Sequence, residues 1–271
     1  MAFQIPRPMM TKEHGSWAVL LIPMALAIGR TGVWNSDSLV FIAAAFFAFL
    51  GYLPVQTLLR DRFGIPQGPT KMTAAKLWAS LFVAASGSLT ALLVLKGYVM
   101  LVAFGAFAVL SFLGNFFLML RFQKSVASDL VGMAGLTLGA PALWYVQAGT
   151  IGAEALSLYV LSFLFFGCSV VYVHLKIRVV EMRRDDLSAR EKLSAARLNI
   201  VYHLAVIAIV VALAVWQWTP AMTVIAFVPM TIHALYGTYK LSHRVRFKRL
   251  GFLLLAHSVL FAILLLIVPG K

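Results

Sequence analysis

Residues 98–119 read YVMLVAFGAFAVLSFLGNFFLM, a run without one charged side chain. A bilayer core of ~30 Å is crossed by ~20 apolar residues in helical form, so the run is long enough to span it. It is continuously apolar rather than alternating, which argues against a membrane β-barrel strand. Outward from it, the same reading applies to residues 14–29, 38–58, 76–95, 129–147, 154–173, 199–217, 220–237 and 250–268. The expected fold class is therefore all-α, a polytopic membrane protein in which nine transmembrane helices form a single domain over residues 1–271. Composition agrees: 62% of the chain is hydrophobic and 12% charged, with a mean hydropathy of +0.91. Soluble domains carry roughly 25% charged residues, so a soluble enzyme, a disordered chain and a free-standing nucleic-acid binder are excluded. A single Cys excludes a disulfide framework and a Cys-based metal centre.

The basic residues orient the bundle. Of the 23 Lys and Arg, 20 fall in the N-terminus and in the segments after spans two, four, six and eight. Only Arg30, Lys96 and Lys271 fall on the other side. By the positive-inside rule the N-terminus is cytoplasmic and the C-terminus external, as for a multi-pass protein of a bacterial plasma (inner) membrane. The formal charge of +14 then reflects orientation and contact with anionic membrane lipids, not a nucleic-acid partner. Residues 1–29 also admit a signal-peptide reading, but Glu13 and His14 abut the apolar run where such peptides carry positive charge, which favours an uncleaved first helix.

Ionisable groups inside or beside a span are costly and tend to be functional, so a site is sought among the few that exist. Most acids and histidines lie toward the basic end. Glu13, His14 and Trp17 share part of one helix surface by their i, i+3 and i, i+4 spacing, as a pocket wall or as a dipole-capped helix start with an interfacial Trp. The loop from Arg60 to Lys71 holds Asp61 and two Pro–Gly breaks, and its cations and N–H groups suit an anion as well as a plain positive-inside loop. Where span six emerges, Tyr172, His174, Lys176, Arg178 and Glu181 follow one another at helical spacing. His174, Arg178 and Glu181 make one stripe, facing either the bundle or the headgroups. Gly135 and Gly139 on span five read as a packing face, with Asp129 as a cap or dipole partner. Asn115 and Tyr236 lie toward the same end of their spans. The charged segment 181–198 is expected to be a solvated surface helix.

Nine spans, an inside N-terminus and long polar loops after spans two and six resemble the UbiA superfamily of intramembrane prenyltransferases, as does the span-five stretch DLVGMAGLTLGAPALWYVQAG. The opening KEHGSWAVLLIPMALA and the run YVHLKIR more closely resemble a divergent branch, the YwiC-like proteins. The superfamily resemblance implies a UbiA-like helical bundle acting on an isoprenyl or other lipid phosphate. In that superfamily two aspartate-rich motifs hold Mg²⁺ against the diphosphate. Here Leu53, Pro54 and Thr57 stand where the first motif has Asn, Asp and Asp, and His174 and Arg178 stand near the second. No cofactor is therefore expected, metal ligands are absent from the candidate set, and Mg²⁺ is doubtful. On this resemblance Lys71, His174, Lys176 and Arg178 would hold the phosphate. Glu13 or Asp61, beside His14, would be the base or the carbocation stabiliser. Trp17, Tyr172 and Tyr236 would shield a developing cation, and Asn115 would join the substrate-binding set. The alternatives are a non-enzymatic lipid-phosphate-binding protein, a transporter, or an assembly partner of a membrane complex.

Overall fold

The computed structural model describes residues 6–11, 14–184 and 187–268. Ten α-helices follow in chain order: α1 His14–Thr31, α2 Ser36–Arg62, α3 Pro69–Leu95, α4 Met100–Phe122, α5 Val126–Thr137, α6 Gly139–Ala148, α7 Ala153–Met182, α8 Ala189–Val215, α9 Val228–Tyr239 and α10 Phe247–Ile267. No strand occurs among the described residues. Eight helical stretches are long and apolar enough to cross a membrane, and the shorter apolar Gly15–Thr31 makes a ninth. The chain is a polytopic helical membrane protein.

Two of the spans are composite, for a reason visible in the sequence. Pro141 has no N–H to give the Thr137 carbonyl, and the helix breaks at Leu138 between α5 and α6. Pro229, at the start of α9, likewise cannot donate to Ile225. The chain upstream, Ala221–Phe227, tightens into a 3-10 segment that leads into α9. Helix starts are set by side chains: Asn35 accepts from the Ser38 N–H at 2.8 Å, and Ser125 and Ser188 form capping boxes with Ser128 and Glu191.

The long α7 is the most enclosed of the membrane-length spans, packed by α1, α5, α6, α8 and α9. Phe165 from α7 stacks on Phe261 of α10 at 4.0 Å, and Phe227 closes edge-on against both. The opposite faces of α3, α4 and α8 expose Leu, Val and Phe side chains, as lipid contact requires. One end of the bundle is nearly free of surplus charge. There Arg30 donates to the Val268 carbonyl at 2.8 Å and faces Glu154 at 3.5 Å, while Lys96 meets Asp37 at 2.5 Å. These pairs close the sparse end by tying α1, α7 and α10 together, and α2 to the α3–α4 turn.

The segment 181–198 differs from the surface helix expected of it. It comprises the end of α7, the link to α8 and the first turns of α8. The Arg183 cap in left-handed conformation and the Ser188 cap end one span and begin the next, which leaves no separate element.

Candidate functional site

At the basic end, the end of α7 and the start of α8 form a groove. Glu191, Ser194, Leu198 and Val201 recur at i, i+3, i+7 and i+10 and so share one face of α8. With Arg178, Met182, Arg184, Leu187 and Ala195 they line two adjoining open hollows of about 370 and 360 Å³, which share Arg178 and Ser194. Arg197 lines the second hollow. Arg184 reaches Glu191 at 3.4 Å, and Glu191 also caps α8 through Ser188. Arg178 and Arg197 make no ion pair or hydrogen bond among the described residues, so both guanidinium groups keep their donors for a ligand. Leu198 and Val201, both exposed, carry the groove from charged to apolar surface along α8.

The stripe read from the sequence divides on α7. His174 lies against α5, its Nε2 2.9 Å from the Asp129 carboxylate. Arg178, four residues on, is exposed at the groove. Tyr172 and Lys176 lie on the other side and are buried toward α9. Lys176 Nζ donates to the Gly237 carbonyl at 2.8 Å and sits 5.1 Å from the centre of the Tyr172 ring. Glu181 is exposed.

The remaining candidates are spread over other elements. Glu13 lies outside the described residues, and His14 opens α1. Trp17 packs on Phe46 and Phe49 of α2, at 5.7 and 4.7 Å. Asp61 and Lys71 are exposed and bond within their own loop: Asp61 accepts from the Gln67 N–H at 3.3 Å, and Lys71 donates to the Gln67 side chain at 2.7 Å. Asn115 is buried and joins three helices, accepting from the Tyr52 hydroxyl at 2.9 Å and donating to the Ser128 carbonyl at 2.6 Å. Tyr236 is 54% exposed with the Lys240 ammonium 5.1 Å from its ring centre. The Tyr236 phenol's hydrogen bond raises the Lys240 ammonium above its ordinary range.

These donors do not fit Mg²⁺, which needs near-octahedral oxygen ligands. The Thr57 hydroxyl is used by the Leu53 carbonyl at 2.9 Å, Leu53 and Pro54 offer no side-chain oxygen, and Asp61 is a lone exposed carboxylate. No group of three His, Cys, Asp or Glu side chains able to hold a metal occurs among the described residues.

Sequence reasoning missed Ser194 and Arg197 as groove residues and Asp129 as the partner of His174. The α8 phase was legible, since Glu191, Ser194 and Leu198 share a face. Which face met Arg178 depended on how α8 packs against α7. The His174–Asp129 pair joins positions 45 apart and carried no local signal.

No curated protein and no solved structure matches the chain. The family model of the YwiC-like proteins matches residues 10–144, from the segment before α1 into α6, so the α7–α8 groove lies beyond the matched stretch. The chain is thus a membrane-spanning helical protein that matches the YwiC-like protein family over residues 10–144.

Proposed function

We propose that this protein binds an isoprenyl or other lipid phosphate or diphosphate at the cytoplasmic face of a bacterial plasma membrane, without a metal, in a UbiA-like bundle. The observation that carries the reading is the pair of uncommitted guanidinium groups, Arg178 and Arg197, on a groove that turns apolar at Leu198 and Val201. Guanidinium stays charged and grips phosphate oxygens through two parallel N–H bonds, which supplies the neutralisation that Mg²⁺ gives elsewhere. The first isoprene units would lie along Leu198 and Val201 and continue into the bilayer. The asymmetry of 20 basic residues against three supports a cytoplasmic position for this end.

A second reading, transfer of the isoprenyl group, is favoured by the His174–Asp129 pair at 2.9 Å, one turn from Arg178 on α7. An imidazole oriented by a carboxylate is a suitable base. It would take the proton of an acceptor hydroxyl as that oxygen bonds to C1 of the isoprenyl chain and the C1–O bond to diphosphate breaks, the diphosphate leaving toward the arginines.

The test is a titration of the full chain in neutral-lipid nanodiscs with farnesyl diphosphate. The proposal expects saturable binding that excess inorganic phosphate competes with only weakly. Absence of saturable binding, or equal competition by inorganic phosphate, would contradict it.

A further inference from the structure

A second polar layer lies inside the bundle, away from the groove. Lys176 and His233 each sit six residues from the ends of α7 and α9, so both lie about 9 Å along the helix axis from the basic end. Lys176 is 8% exposed, its one hydrogen bond goes to the Gly237 carbonyl, and no carboxylate is within ion-pair distance among the described residues. The Tyr172 ring lies 5.3 Å from that of His233, which lies 5.0 Å from that of His257 on α10. The buried His233 Nε2 has no partner. Beside Gly237, Thr238 accepts from Asn199, whose Oδ1 is also buried without a partner. His203, 0% exposed, uses Nδ1 on the Asn199 carbonyl and leaves Nε2 unpartnered.

Gly237 is what lets this layer close. A Cβ there would fall on the Tyr172 hydroxyl, so only glycine allows α7 and α9 to approach closely enough for Lys176 to reach its carbonyl. α10 lays its length on α1 and on the 3-10 segment, and α9 lies on α7 and α8. Between α9 and α10 stand the two imidazoles, with His257 partly exposed and Tyr236 exposed at the surface.

A buried cation without an acid partner is expensive in a bilayer, and it is relieved by an anion that brings its own apolar tail. We propose that the α9–α10 seam receives, laterally from the membrane, the carboxylate of a fatty-acid-like amphiphile, with Lys176 as its counter-ion. A single ammonium, charged when an anion enters beside it, matches a monoanion better than a phosphate ester. The Tyr172 hydroxyl and the His233 Nε2 supply hydrogen bonds in the same layer, and the tail lies in the lipid beside Ile232 and Leu253, both exposed. This site is independent of the groove proposed for lipid phosphate.

The experiment uses ¹³C-carboxyl decanoate with the full chain in neutral-lipid nanodiscs, read by carboxyl NMR. The expected result is a saturable, protein-dependent resonance that Lys176→Met weakens about tenfold or more, while Arg190→Ala, on exposed surface away from both sites, leaves it unchanged. His257→Phe, at a partly exposed position, is the second variant and should also weaken binding. No protein-dependent resonance, equal binding by wild type and both variants, or stronger displacement by decyl phosphate than by unlabelled decanoate would overturn the assignment.

Discussion

Arg178→Ala is the sharpest perturbation of the groove. The side chain is exposed, lines both hollows and is engaged by no other residue among those described, so its removal leaves the fold unchanged and takes away one ligand contact. A hydrogen bond to a charged group is worth ~1.5–3 kcal/mol, and every ~1.4 kcal/mol is tenfold in affinity. The alanine variant should bind farnesyl diphosphate about ten- to a hundredfold more weakly, toward the lower figure at physiological salt, because exposed charges are screened. Arg178→Lys keeps the charge but loses the planar fork and should fall between. Arg197→Ala should act in the same direction, and the double variant should approach the sum of the two only if each arginine grips separate oxygens. The assay is isothermal titration in neutral-lipid nanodiscs, with Arg190→Ala as the control, an exposed residue of the first turn of α8 that does not line the groove. Equal losses at Arg178 and Arg190, or none at either, would refute the reasoning and make the arginines plain headgroup anchors.

Three other outcomes follow from the same structure. Treatment with EDTA should leave farnesyl diphosphate binding unchanged in the same titration, whereas loss of binding would reveal a divalent-ion requirement that these side chains do not supply. Gly237→Ala should lower the thermal midpoint in detergent, since overpacking against Tyr172 costs about 1–3 kcal/mol, and adding Tyr172→Phe should recover part of the loss. A C-terminal alkaline phosphatase fusion should be active and a C-terminal GFP fusion dark, as an external C-terminus requires; the reverse pattern would invert the basic end.

The fold was largely legible because the bilayer imposes one simple rule, a long apolar run per crossing. The runs at 38–58 and 154–173 became the cores of α2 and α7 with longer helical ends. The breaks at Leu138 and before Val228 were less legible. Pro141 and Pro229 mark them, but whether a proline kinks or splits a span depends on its neighbours. Of the groove, Arg178 was already a candidate from residue type and helical phase. Its neighbours Ser194 and Arg197 were not, since they meet it through the packing of α8 against α7. Lys176 and Arg178, two residues apart, leave α7 on different sides, so clustering in the sequence was not clustering in space. Asn115 joins α2, α4 and α5 by hydrogen bonds, a binding role for neighbouring helices that its sequence position alone did not separate from a role toward ligand.

The central claim is that free arginines on the α7–α8 groove hold a lipid phosphate. Mass spectrometry of lipids retained through gentle purification tests it most directly, with wild type and the Arg178→Ala/Arg197→Ala double variant purified side by side from the same membranes. The account predicts an isoprenyl or other lipid phosphate enriched with the wild type and depleted from the double variant. A wild type that retains no such lipid, or equal amounts retained by both proteins, would contradict it.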